Sequence, residues 1–213
     1  MGENKLKNLK FTNKDDALAA RLEILGQPLY FLVPVGSWIL ENEPHIRLIT
    51  SWRQVNRDMY FARFPETQES MIRYLEDFSI KDQTTLLFII EDQNGIAHGH
   101  IGIKGYSHRT VEIDSVMRGN DVYVPGLMDG ALITLMKYCE QELEINEFRL
   151  EVISYNERAI NFYTRNGFSL CETRSLFQSK DGEIVSHMYV PPEDSNVDYR
   201  SLKLIRYSKG ASR

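Results

Sequence analysis

Residues 149–168 read Arg149-Leu-Glu-Val-Ile-Ser-Tyr-Asn-Glu-Arg-Ala-Ile-Asn-Phe-Tyr-Thr-Arg-Asn-Gly-Phe168, and two structural periods meet inside them. Residues 148–153 are apolar and β-rich and read as a strand. Asn156 then opens a helix, because its short side chain can accept from the unpaired N–H groups of a first turn. Ala159, Ile160 and Tyr163 share one side of that helix, and Gly167 is a natural stop. Upstream, about 127–144 reads as a longer helix with Ala131, Leu132, Leu135, Met136, Cys139 and Leu143 on its buried face. A helix between two strands implies that those strands run parallel.

Working outward, the period changes. Residues 110–117 alternate Val111, Ile113 and Ser115 against Glu112, Asp114 and Val116, which predicts a strand. Residues 85–91 and 96–104 flank Asp92-Gln-Asn-Gly95 and read as a hairpin. Residues 168–176 and 184–190 do the same around Ser179-Lys-Asp-Gly182. Nearer the N-terminus, a helix over 13–25 stops at Gly26, and 29–35 is a short buried strand interrupted at Pro34. A helix over 44–53 turns Ile46, Ile49 and Trp52 inward, and another after Pro65 spaces Met71, Ile72, Leu75 and Phe78 helically. This order of elements predicts an α+β fold with a mixed sheet.

The chain has 213 residues, 25 basic and 30 acidic, for a net charge of −5, with 42% hydrophobic and 26% charged residues. That composition excludes a disordered chain, and the mild acidity speaks against nucleic acid as a partner. The basic residues near the C-terminus (Lys203, Arg206, Lys209, Arg213) read as a solvated tail. No apolar run approaches the ~20 residues that span a bilayer, so no membrane partner is expected, and the N-terminus shows no signal core. Cys139 and Cys171 form neither a disulfide framework nor a ligand set, which points to a cytoplasmic protein with free thiols.

Some residues suggest chemistry on their own. Tyr123-Val-Pro-Gly-Leu-Met-Asp-Gly-Ala131 joins a strand to a helix, and such a turn aims unpaired N–H groups at an anion. Gly126 and Gly130 would let phosphates approach, whereas the carboxylate of Asp129 would oppose them unless it caps the helix or faces solvent. Glu112 and Asp114 share one strand face and can share a polar cleft. His98 and His100 also share a face, but no third metal ligand is evident, so structure or substrate contact is the better reading. Trp38 and Trp52 belong to the core, and Cys139 on an apolar helix face is inert.

Asn156, Ala159, Tyr163, Gly167 and Phe168 match the pattern Asn-x-x-Ala-x-x-x-Tyr-x-x-x-Gly-Phe. Through them the chain resembles the C-terminal half of the GNAT superfamily of N-acetyltransferases. Trp52-Arg53 and Gly99-His-Ile-Gly-Ile103 resemble the branch that acetylates ribosomal-protein N-termini, polyamines and amino sugars. The family's loop Arg/Gln-x-x-Gly-x-Gly/Ala is altered here to Tyr123-Val-Pro-Gly126-Leu-Met128, so Met128 must point away from the phosphates. The resemblance implies a splayed sheet of about six or seven strands in a domain at 29–192, with 1–28 and 193–213 as added segments. It implies acetyl-CoA as co-substrate between the strands at 110–117 and 148–153, and no metal. Val116, Met117, Arg118, Val124, Gly126, Leu127, Met128, Asp129, Gly130, Asn156 and Ala159 would hold it. Pantetheine would pair with the edge at 116–118, Glu112 would be the base, and Tyr163 would protonate the departing thiolate. Tyr106 and His108 would border the acceptor pocket. The acceptor expected is a primary amine of a small molecule such as an amino sugar. The alternatives are a protein N-terminus, or a module that binds acyl-CoA without turnover. The sequence leaves room for a homodimer.

Overall fold

Asn13 accepts the Asp16 N–H at 2.9 Å and so starts α1 (Lys14–Ala19). The computed structural model describes residues 6–119 and 123–208. The helix expected over 13–25 ends early, because Leu22–Ile24 forms β1 and pairs with β2 (Gln27–Pro34). Gly26, at φ +74°, makes the turn between them. Over three residues a strand and a helix bury the same side chains, so only tertiary pairing separates them.

α2 (Glu43–Val55) buries Ile46, Ile49 and Trp52 as its spacing predicts. α3 (Gln68–Tyr74) runs into a π-helical turn at Leu75–Ile80, where the extra residue per turn rotates later side chains. Phe78 is therefore 63% exposed rather than inward, while Met71 and Leu75 stay buried. The strands β3 (Leu86–Asp92), β4 (Ala97–Ser107) and β5 (Thr110–Arg118) form an antiparallel meander. There follow α4 (Leu127–Glu142), β6 (Glu147–Ile153), α5 (Glu157–Arg165), β7 (Ser169–Asp181), β8 (Ile184–Val190) and β9 (Arg200–Tyr207).

These strands make one sheet in the order β1-β2-β3-β4-β5-β6-β9-β7-β8, parallel at β5–β6 and antiparallel at its other pairings. The sheet has nine strands, not six or seven; the two additional ones are β1 and β9. β9 inserts between β6 and β7, so Lys203 and Arg206 lie on a strand and not in a solvated tail. Its alternation of Ser201, Lys203 and Ile205 with Leu202 and Leu204 is the sequence signal for it. Lys209 and Arg213 lie outside the described residues.

Helices cover both faces. One core cluster joins Phe88, Ile101, Val111, Ile113 and Phe148 to the apolar stripes of α4 and α5. The other joins Val33, Leu87, Ile89 and Met117 to Trp52, Met71 and Leu75. β3 reads Leu-Leu-Phe-Ile-Ile without a polar break because both of its faces are buried. Each fully buried side chain of this size contributes roughly 1.5–3 kcal/mol.

Candidate active site

β5 and β6 pair only through Thr110–Glu112 and Glu147–Arg149. Beyond Glu112 they diverge, each held to its other neighbour: β5 stays on β4 as far as Arg118, and β6 stays on β9 to Ile153. The result is a wedge in the sheet whose walls are unpaired strand edges. α5 begins shortly after β6 ends, and α4 is the next helix after β5, so both strands that diverge lead into helix N-termini, which carry positive ends.

The β5 wall is shaped by a bulge. Gly102 opposes Asp114 while His100 opposes Met117, so Ser115 and Val116 together face one residue of β4. Ser115 is left-handed at φ +52°. The bulge breaks the expected alternation: Val116 packs against the α4–α5 core cluster and Met117 is buried in the other one. Arg118 lies with its guanidinium 5.2 Å from the Tyr123 ring centroid.

At the start of α4, Gly126 sits at φ +75° with no side chain capping the helix. The first-turn N–H of Met128 has no acceptor within the helix, while that of Asp129 meets its own carboxylate. Val124 and Met128 pack against the core and Leu127 is buried in it. Asp129 does not cap α4 but pairs with the end of α5: Arg165 donates to its two oxygens at 2.8 and 2.9 Å, and Asn166 donates at 2.8 Å. These donors hold its carboxyl below the usual carboxylate range. Gly130 faces the β1–β2 turn, where an added Cβ would lie 2.6 Å from the Leu25 carbonyl oxygen. Its small size thus serves helix–hairpin packing rather than an approaching phosphate.

On the other side, Asn156 Oδ1 accepts the Ala159 N–H at 3.2 Å and fixes the start of α5. Gly167, at φ +86°, lets the Phe168 N–H return to the Tyr163 carbonyl at 3.1 Å. Tyr163 is 8% exposed, with its ring edge-on to Phe162 and Phe168 at 5.1 and 5.8 Å. Among the described residues nothing hydrogen-bonds its hydroxyl. Burial, then the charges of Asp114 and Tyr60, hold the phenol above the usual tyrosine range, so it carries its proton at neutral pH. Arg158, in the first turn of α5, is held below the usual arginine range by burial and by the nearby Arg118 charge. Sequence reading missed Arg158, whose signal was a cation two residues after the capping asparagine.

Glu112 and Asp114 project from the opposite face of β5. Lys104, paired with Glu112 across the sheet, binds Glu112 Oε1 at 2.9 Å and Asp114 Oδ1 at 3.2 Å. Burial works against its ammonium, but Asp114 and Glu112 outweigh it and hold Lys104 above the usual lysine range. Burial raises the Glu112 carboxyl, with Lys104 opposing and Asp114 and Glu151 reinforcing. Ser115 Oγ donates to Asp114 at 3.0 Å and lies 3.4 Å from the Tyr74 hydroxyl.

Above this face stand Tyr60, Phe64 and Tyr74, whose ring centroids lie 4.1, 4.3 and 5.4 Å from the buried Arg53 guanidinium. Arg53 also donates to the Ala62 carbonyl at 2.9 Å, tying α2 to the 60–64 loop. Burial pushes the Tyr60 and Tyr74 phenols above the usual range. The sequence offered no signal for this wall, which the fold assembles from separate segments.

Tyr106 and His108 are not near the mouth. The β4–β5 turn lies at the end where β5 and β6 are still paired, and the Tyr106 hydroxyl donates to the Leu143 carbonyl at 3.4 Å. His98 and His100 have separate partners, Asp92 at 3.4 Å and the Ser115 carbonyl at 2.6 Å. Trp38 and Trp52 are core residues. Cys139 is buried, which raises its thiol well above the usual range.

The wedge fits the acyl-CoA that the sequence resemblance implies. A free strand edge suits an amide-bearing arm, and first-turn N–H groups with Arg118 and Arg158 suit its phosphates. Residues 40–169 match the family model of the acetyltransferase (GNAT) domain. A comparison with curated proteins gives no match. Among solved structures, the ribosomal L7/L12 α-N-protein acetyltransferase RimL superposes with a TM-score of 0.65 at 13% identity, covering 88% of this chain and 95% of that one. Spermidine N-acetyltransferase from Vibrio cholerae, solved with CoA and spermine, gives 0.61 at 15% identity, covering 84% and 95%. The microcin C7 self-immunity acetyltransferase MccE, solved with acetyl-CoA and AMP, gives 0.60 at 16%, covering 84% and 92%.

Proposed function

Because this chain belongs to the GNAT acetyltransferase family, we propose that it transfers the acetyl group of acetyl-CoA to a primary amine of a small molecule. The observation that carries this reading is the wedge itself. A protonated phenol, Tyr163, stands on α5, the helix that follows the β6 wall, and a carboxylate pair, Glu112 and Asp114, projects from β5, the strand that forms the other. Acetyl-CoA, when bound, supplies a thioester-activated acetyl group.

The chain's residues do the rest. The unpaired edge at 116–118 orients the pantetheine arm, and a backbone N–H there polarises the acetyl carbonyl. The first turn of α4 with Arg118 and Arg158 binds phosphate. Glu112 removes the ammonium proton so that a neutral amine can attack, and its burial makes it a stronger base than an exposed carboxylate. Tyr163 holds a proton for the departing sulfur.

The acceptor is a cation before it is deprotonated, and the sheet face suits one. Glu112 and Asp114 are the carboxylates that could meet it; Lys104 lies between them, and Arg174 stands 3.8 Å from Glu151. Amino sugars and other small amines fall in this class. Free thiols at Cys139 and Cys171 accord with a cytoplasmic enzyme. The test is incubation with acetyl-CoA and pools of amino sugars, polyamines and N-terminal peptides, following thiol release. Turnover with a small amine supports the reading. Turnover with peptides alone moves the acceptor to a protein N-terminus. Binding of acetyl-CoA without release in any pool makes the chain a binding module.

A further inference from the structure

His100 is buried on β4, with its ring centroid 6.1 Å from that of Trp52 on α2. Burial, against the pull of the Ser115 carbonyl and aided by the Arg53 charge, pushes its imidazole down to about 4, so one ring nitrogen carries hydrogen at neutral pH. The 2.6 Å contact from Nδ1 to the Ser115 carbonyl oxygen places that hydrogen on Nδ1.

The residue whose carbonyl it holds is the left-handed Ser115 of the β5 bulge. Left-handed conformations are costly for side chains other than glycine and persist where surrounding contacts fix them. Here the contacts are the His100 N–H on the main chain, with Asp114 and Tyr74 on the side-chain hydroxyl. The bulge in turn sets the direction of Val116, Met117 and Arg118, the edge that lines the wedge. A regular strand would turn each of these residues to the opposite face.

We infer that His100 is a positioning residue for the reaction: its Nδ1–H pins the Ser115 carbonyl and so holds the bulge that presents the 116–118 edge to the acyl-CoA. The inference rests on the acetyl-transfer reading above. The imidazole touches no reacting atom and acts through the main chain.

Three substitutions test it in the full chain. An asparagine amide nitrogen reproduces the reach of Nδ1, a glutamine amide extends past it, and leucine has no donor. His100→Leu and His100→Gln leave the part-buried Ser115 carbonyl without its His100 donor, which should weaken acetyl-CoA binding about tenfold or more, while the amine KM stays within about twofold. Hydrogen exchange at 115–118 in unliganded protein should rise in both. His100→Asn should restore most of the affinity and of the protection. Should His100→Leu fail to fold, the Asn–Gln pair decides alone, since both are polar and differ only in reach. Equal affinity and exchange in Asn and Gln variants overturns the inference, as does a His100→Leu protein that behaves as the wild type. Wild-type protein that binds no acetyl-CoA overturns the acetyl-transfer reading and this inference with it, and that failure is visible before any variant is made.

Discussion

Tyr163→Phe removes one oxygen from the wedge and nothing else. The ring keeps its edge contacts to Phe162 and Phe168 at 5.1 and 5.8 Å. Among the described residues no hydrogen bond is lost, because none of them partners the hydroxyl. Stability should therefore change by no more than about 0.5 kcal/mol, which in a chain of this size moves the melting temperature by about 1–2 °C. Turnover should respond quite differently. A general acid contributes about 10²–10⁴-fold, so kcat should fall about 10²-fold or more, equivalent to about 2.7 kcal/mol of barrier. The acetyl-CoA dissociation constant should stay within about threefold, since the proton matters only as the sulfur departs. Because burial and Asp114 hold the phenol above the usual tyrosine range, deprotonation of Tyr163 should not shape the rate profile near neutral pH. The assay is thiol release at saturating substrates beside a thermal melt on the same protein. A fully active variant refutes the acid role. A large drop in melting temperature refutes the claim that the hydroxyl has no structural partner.

Three further outcomes follow from the same geometry. Glu112→Gln should lower kcat about 10²–10⁴-fold and abolish the acidic limb of the pH–rate profile. That limb belongs above the ordinary glutamate value of about 4.3 because burial raises this carboxyl, and the rate climbs as pH rises through it and frees the base. Lys104→Met removes the cation shared by Glu112 and Asp114, so Glu112 titrates still higher and the acidic limb moves to higher pH, whereas Lys104→Arg should hold it near its original place. Gly130→Ala forces a Cβ to within 2.6 Å of the Leu25 carbonyl, so it should cost about 1–3 kcal/mol in a denaturant melt while changing acetyl-CoA affinity little. An affinity loss without a stability loss would return Gly130 to the phosphate site.

What was legible in the sequence was what local chemistry decides. Asn156 caps, Gly167 reverses the chain, and the residues between them bury one stripe, so the element carrying Tyr163 is readable over a dozen residues. α4 was readable because its apolar face recurs over sixteen residues. β1 was not, since three residues give no period. β9 was hidden by its charges, although Leu202 and Leu204 mark its inner face. The bulge had no signature at all: nothing about serine announces a left-handed φ, and the register against β4 and the contacts to His100, Asp114 and Tyr74 come from distant pairing or a neighbour's side chain. Glu112 and Asp114 could be placed on one face by alternation, but not beside Lys104, which a hairpin register brings across. Tyr60, Tyr74 and Arg53 reach the site through packing of α2, α3 and the loop between them, and Tyr106 and His108 were misplaced because sequence order does not say which end of a strand pair opens.

Acetyl transfer by this chain requires acyl-CoA to occupy the wedge between β5 and β6. Hydrogen exchange of the full chain with and without saturating acetyl-CoA reads that occupancy. Bound in the wedge, acetyl-CoA should bring new protection at 116–118, at the first turn of α4 from Leu127 to Gly130, and at the start of α5, with the β4–β5 turn unchanged. Unaltered exchange at all three segments, or protection confined to the β4–β5 turn, would contradict that occupancy.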